Sequence, residues 1–125
     1  MKQAVVSEQA PKPVGPYSQA IIVGSLVWCS GQIGIDPKTG TLVEGLEQQT
    51  EQIFNNLKAV LERAGSGLER VVKATVFITS MDNFARVNEV YARFFKEPFP
   101  ARSTVEVGAL PKGALVEIEV IAERG

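Results

Sequence analysis

The chain of 125 residues has no histidine. That absence removes the commonest general base, the Ser/His and Cys/His nucleophile systems and most zinc sites. Any catalysis has to be carried by carboxylate, guanidinium, hydroxyl and backbone groups. Cysteine is nearly absent too: Cys29 stands alone and cannot form an internal disulfide, which suits a reducing compartment. Flanked by Trp28 and Ser30 in an apolar stretch, it reads as a small core hydrophobe ahead of a reactive thiol. Runs of one charge are also missing. Thirteen basic against fourteen acidic residues leave a net charge of −1 and no basic stripe, so no nucleic-acid partner is expected. No apolar stretch approaches the length of a membrane span, and Met1–Glu8 lacks the apolar centre of a signal peptide. A soluble cytoplasmic protein is the expectation.

Hydrophobic residues at 45% and charged residues at 22% exclude disorder, and the length predicts one domain spanning 1–125. Lys2–Ser7 reads as a first strand. The prolines and glycine of Ala10–Pro16 then forbid regular structure and deliver Tyr17 and Ser18 at a fixed place. Gln19–Val23, a Gly24-Ser25 turn and Leu26–Ser30 read as a hairpin, ending at Gly31, where glycine serves either close ligand approach or a bulge. A polar turn at Ile35–Gly40 leads to a helix from about Glu47 to Ala64, whose buried stripe is Ile53, Leu57, Val60, Leu61 and Ala64. Val71–Thr79 is a β-branched strand with Val72, Ala74, Val76 and Ile78 on one face. A second helix, capped by Ser80 or Asp82, runs through Phe95 with Phe84, Val87, Tyr91 and Phe94 inward.

The C-terminal stretch carries charge in an unusual place. Phe99–Val107 and Leu115–Ala122, joined through Leu110–Gly113, read as a β-hairpin. In the returning strand Val116, Ile118, Val120 and Ala122 share one face, while Glu117 and Glu119 share the other with Leu115 and Ile121. Hairpin pairing would bring Arg102 near a carboxylate, either as a working pair or as a structural cross-strand ion pair. The order β-β-β-α-β-α-β-β predicts an α+β fold, one mixed sheet with both helices on one face, since two helices cannot cover two. The uncovered face would then expose Phe77, Ile121 and either Trp28 or Val27, which calls for a homo-oligomer that buries these faces and places a site between subunits.

Pro100-Ala101-Arg102-Ser103-Thr104-Val105-Glu106-Val107, Leu110-Pro111-Lys112 and Val116-Glu117-Ile118-Glu119 together resemble the signature of the RidA (YjgF) family of reactive-intermediate deaminases. Ala10–Ala20, Ser30-Gly31-Gln32-Ile33, Asp36–Gly40 and Val87–Tyr91 resemble further family blocks in the same order, so the likeness spans the whole chain. The resemblance implies a chorismate-mutase-like fold, a homotrimer with barrel-like packing of the sheets, and clefts between subunits. It implies hydrolysis of 2-imino acids and their enamine tautomers, released by pyridoxal-phosphate enzymes, to 2-keto acids and ammonia, with no cofactor or metal.

On these residues that chemistry assigns Arg102 to the substrate carboxylate and Glu117 to the attacking water and proton shuttle. By resemblance, backbone near Gly31 and Thr104 completes ligand binding, and Ser30, Asn88, Pro111 and Tyr17 line or order the cleft, Tyr17 coming from a neighbouring chain. Glu119 is expected to make an intersubunit hydrogen bond ahead of assisting catalysis. The chain departs from many relatives at Thr104, where they carry cysteine, and at Gly34, where they carry proline and where glycine would loosen the loop. Rival readings are a non-catalytic binder of keto acids or other small carboxylates, an endoribonuclease or translation inhibitor, and a holdase chaperone. RNA cleavage fits poorly with no histidine and no basic patch.

Overall fold

Alternation of apolar and polar side chains, interrupted twice by helical periodicity, folds the chain into one six-stranded sheet with both helices packed on a single face. The computed structural model covers residues 1–125. Strands β1 (Gln3–Val5), β2 (Ala20–Val23) and β3 (Leu26–Cys29) are followed by the short β4 (Ile35–Asp36) and β5 (Thr41–Leu42), then helix α1 (Leu46–Arg63). Strand β6 (Val71–Ile78), helix α2 (Phe84–Phe94), β7 (Ala101–Glu106) and β8 (Val116–Glu123) complete it. The expected α+β order holds, with β4 and β5 added as a separate two-stranded ribbon where the sequence suggested only a turn.

The C-terminal hairpin is not there. The sheet runs β1-β2-β3-β8-β6-β7, so β6 lies between β7 and β8. It pairs with β7 in parallel, Ala74 opposite Arg102, and with β8 antiparallel, Phe77 opposite Glu117. The segment from Val107 to Leu115 crosses the end of β6 instead of making a tight turn, and its length allows this: two-residue loops favour hairpins, longer ones do not dictate them.

Ala74, Val76 and Ile78 of β6 and Val116, Ile118 and Val120 of β8 point at the helices and are buried. A register shift between Val71 and Lys73 alters the expected pattern at the start of β6. It turns Val71 into the core and leaves Val72 42% exposed, the reverse of plain alternation. Opposite the helices, Ile21, Trp28, Ile121 and Phe77 lie on the face that no element of the chain covers, with Trp28 49% exposed. Val27 is fully buried beneath the helices, which resolves the Trp28/Val27 alternative.

Helix α1 follows its predicted stripe, with Phe54 also wholly buried. Phe54 stacks on Phe94 at a centroid distance of 4.7 Å and meets Tyr91 and Phe95 edge-on at 5.7 and 5.5 Å, which joins the two helices. Arg86 on α2 reinforces the joint by donating two 2.7 Å hydrogen bonds to the Glu47 carboxylate on α1, which holds that carboxyl down to about 2. Phe84 corrects the predicted inner stripe: it is 36% exposed at the start of α2, after a turn in which the Ser80 hydroxyl accepts from the Asp82 N–H. Cys29 is buried as expected, and burial pushes its thiol up to about 12. No helix is long and apolar enough to cross a membrane.

Two polar residues inside α1 fasten the loops beside it, and a third bonds within the helix. Asn56 Nδ2 donates to the Ile35 carbonyl at 2.9 Å, Gln49 Oε1 accepts from the Leu115 N–H at 2.9 Å, and the Thr50 hydroxyl donates to Leu46 O. Gly34 tightens this region where loosening was expected. A Cβ there would stand 2.7 Å from the Gln49 Cα, so glycine lets the loop close directly on the α1 backbone.

Phe54 has no exposure and touches three other rings, so Phe54→Ala should leave a cavity and cost about 3–5 kcal/mol. Equilibrium denaturation in urea checks this, a loss under 1 kcal/mol being incompatible with the packing described.

Candidate active site

The residues singled out from the sequence fall into two groups on opposite faces of the sheet. Glu117, opposite Phe77, projects on the uncovered face; Arg102, opposite Ala74, projects on the helix face. Their backbones lie two strands and three residues apart, roughly 14 Å at ordinary sheet spacings. The close intrachain pair expected from a hairpin is therefore absent, because β6 intervenes.

The first group is built around Glu117. Gln32 bridges β8 at Ile118 through reciprocal backbone hydrogen bonds of 2.9 and 3.1 Å, which sets Gly31 against the Glu117 side chain. A Cβ at residue 31 would collide with the Glu117 carboxylate and come within 2.9 Å of its Cδ, so the glycine is needed for close approach to a side chain, not for a turn. Ser30 is pinned beside it: its hydroxyl donates to the Ser18 carbonyl at 2.6 Å and its N–H to Gln19 O at 3.0 Å. Burial, with the negative charge of nearby Glu119 second, raises the Glu117 pKa above the usual carboxylate value. These residues open onto a cleft of about 740 Å³, which Tyr17, Pro111, Lys112 and Glu119 also line. The resemblance implies a Tyr17 that enters the intersubunit cleft from a neighbouring chain; within one chain it lines the cleft of Glu117.

Sequence reasoning passed over Gln19, whose side chain secures the rim. Its Oε1 accepts from the Ser7 N–H at 2.6 Å, and its Nε2 donates to Ser7 O at 3.0 Å and Pro11 O at 2.9 Å. An amide buried to 3% at the start of a strand is the only sequence-level signal, and it emerges only once burial is known.

The second group is built on β7 and α2. Arg102 Nη1 donates to Asn88 Oδ1 at 2.6 Å, and the guanidinium carbon lies 4.8 Å from the Tyr91 ring centroid and 5.5 Å from that of Phe84. Thr104 follows on the same face of β7. Arg102 is exposed and faces no carboxylate: the chain's one ion pair is Arg86–Glu47. A guanidinium held by an amide and an aromatic ring, with its charge unmatched, has the geometry to take an anion. No cluster of three or more cysteine, aspartate or glutamate side chains is arranged to ligate a metal.

A six-stranded α+β sheet with one bare face, carrying an unpaired guanidinium on one side and a raised carboxyl in a cleft on the other, defines the class of small α+β sheet proteins to which this chain belongs. The chain belongs to the YjgF/RidA family: a family profile described as Endoribonuclease L-PSP matches residues 7–124. A RutC family protein of Pyrococcus horikoshii is 54% identical over 123 residues, covering 98% of both chains. A 2-iminobutanoate/2-iminopropanoate deaminase of Salmonella typhimurium is 46% identical over 127 residues, covering 99% of both. Among solved structures, RidA from an Antarctic Psychrobacter superposes with a TM-score of 0.95 at 50% identity, covering 97% of this chain and 98% of that one.

Two outcomes follow for Glu117. Glu119→Gln removes one of the two causes of its raised pKa, so the carboxyl should titrate at lower pH, yet still above an ordinary glutamate because burial remains. Gly31→Ala should expel the carboxylate toward solvent and return its titration to the ordinary range while the circular dichroism spectrum is unchanged. Carboxyl ¹³C NMR across a pH series checks both; an unmoved Glu117 resonance in either variant contradicts the geometry.

Proposed function

We propose that this protein is a 2-imino acid deaminase, hydrolysing 2-iminobutanoate, 2-iminopropanoate and their enamine tautomers to 2-keto acids and ammonia. The observation that carries the reading is Arg102, an exposed guanidinium fixed by Asn88 and Tyr91 with no carboxylate of its own. A 2-imino acid supplies that carboxylate, with an electrophilic C=N carbon next to it. The likeness to a relative named for this activity over 99% of both chains supports the same substrate class.

The two groups of residues are the two halves of one site, contributed by different copies of the chain. Arg102, with Asn88 and the backbone at Thr104, takes the substrate carboxylate from one subunit. Glu117, with Ser30, Gly31, Tyr17 and Pro111, supplies the chemistry from its neighbour. The uncovered apolar face around Trp28, Ile121 and Phe77 gives such copies a reason to associate, and a homotrimer is the assembly we propose. Glu117 accepts a proton from water as the oxygen attacks the imine carbon. It delivers that proton to nitrogen, giving a carbinolamine; the same carboxylate then takes the hydroxyl proton and passes it to the amino nitrogen, so the C–N bond breaks with ammonia leaving as the C=O of the keto acid forms. A carboxyl whose pKa burial raises is better suited to both transfers than an ordinary glutamate. No cofactor or metal enters the scheme, and its place of action is the cytoplasm. The endoribonuclease description attached to the family finds less support here, with no histidine and a net charge of −1.

The test generates 2-aminoacrylate or 2-iminobutanoate in situ and follows its decay. Wild-type protein should accelerate loss of the imine over the spontaneous rate, and Arg102→Lys, which cannot copy the bidentate fork, should lose at least about tenfold in kcat/KM. A decay rate unchanged by the wild type removes the reading.

The shared site has its own signature. Arg102→Ala and Glu117→Gln, each inactive alone, should regain activity when unfolded together and refolded, because about a quarter of the sites then combine two intact halves. Mixed protein as inactive as its components would place both halves in one chain.

A further inference from the structure

Tyr91 is buried to 6%, yet its hydroxyl is the one buried side-chain polar atom with no hydrogen-bond partner. The contacts that the chain gives Tyr91 are made by its ring. The aromatic cluster engages that ring, with Phe54 edge-on at 5.7 Å and Phe95 tilted at 4.7 Å. The guanidinium of Arg102 lies against it at 4.8 Å, closer than it lies to Phe84. The positive charge of Arg102 acts on Tyr91 in return, opposing the rise that burial imposes on the phenol.

We propose that Tyr91 is a positioning residue, the floor that fixes the plane of the Arg102 guanidinium so that its free edge points away from α2 toward the incoming carboxylate. A cation resting on a ring face keeps its in-plane N–H groups available. Of the five donors, one is used by Asn88 Oδ1 and the other four have no protein partner. Two restraints of different kind, an in-plane hydrogen bond and an out-of-plane ring, together define the orientation of a planar group. Asn88 alone would leave the guanidinium free to rotate about the Nη1–Oδ1 line. Both restraints come from α2 one turn apart, and α2 is anchored on α1 through Phe54, so the receptor is tied to the core. The side chain of an exposed arginine is thereby ordered before ligand arrives, which lowers the entropy lost on binding.

The inference rests on the deaminase reading for its kinetic consequence but not for its geometry, and two measurements keep these apart. In the first, the Arg102 Nε–Hε proton is observed by NMR in the unliganded protein. It should be displaced upfield from the other arginine resonances by the ring current, keep that displacement in Tyr91→Phe and lose it in Tyr91→Leu. An undisplaced wild-type resonance overturns the proposal whatever the enzyme does. In the second, imine decay is measured over a range of substrate concentrations. Tyr91→Leu should raise KM about tenfold with a smaller change in kcat, and Tyr91→Phe should restore the wild-type KM. A Tyr91→Leu protein with a lowered Tm but unchanged KM shows a purely structural ring and overturns the proposal, as does a Tyr91→Phe protein impaired as badly as Tyr91→Leu. If Tyr91→Leu does not fold, the wild-type and Tyr91→Phe resonances still decide the geometry. If the wild type shows no turnover while the resonance behaves as described, the deaminase reading fails and the positioning of Arg102 stands.

Discussion

Strand β6 uses both of its hydrogen-bonding edges, one for β7 in parallel and one for β8 antiparallel, and the rest of the architecture depends on that double pairing. Side chains in a sheet alternate, so the register on each edge decides which face a neighbour's residue occupies. Ala74 faces the helices and takes Arg102 with it; Phe77 faces away and takes Glu117. The offset of three residues, an odd number, between these two positions sends the cation and the carboxylate to opposite sides of one sheet. Had β7 and β8 paired with each other, the charges would have neutralised one another as an ordinary cross-strand pair. Kept apart, each is left without an opposite charge from its own chain.

The two halves are prepared by different physics. On the helix face, Arg102 is oriented by an amide and a ring and keeps its charge unconditionally. On the bare face, Glu117 is adjusted through its surroundings: a glycine lets it sit tight against the neighbouring backbone, burial disfavours its anion, and Glu119 adds repulsion. The polar residues of α1 support both by clamping the loop that carries Ile33 and Ile35 and the turn that leads into β8. Stability and reactivity thus share one scaffold, with the aromatic cluster around Phe54 connecting the helix that carries Asn88 and Tyr91 to the helix that holds the loops.

Much of this was legible in the sequence. Both helices, the order of the six principal strands, the bare face with Phe77 and Ile121, and the burial of Cys29 all follow from periodicity and residue type. What periodicity does not encode is partnership between strands. The alternation in Val116–Glu123 is the same whether its neighbour is β7 or β6, so periodicity leaves the mutual geometry of Arg102 and Glu117 open, and β6 stands where direct pairing of their strands is expected. The shift at Val71/Lys73 was equally invisible, since a bulge leaves composition intact while exchanging two faces. Gln19, Gln49 and Asn56 escaped attention because a buried amide resembles a surface one until its partners are known. Gly34 was misjudged for a related reason: the freedom of glycine suggested looseness where the fold uses the absence of a side chain for contact.

Trp28 is the only tryptophan, and it lies half-exposed on the bare face, flanked across the strands by Ile21 and Ile121. The interior is mostly aliphatic, its aromatic residues are phenylalanine and tyrosine, and it contains no indole. The molecule therefore carries a built-in optical gauge for one surface alone: the colour of its emission tracks whether water reaches that face and is largely indifferent to the state of the core behind it.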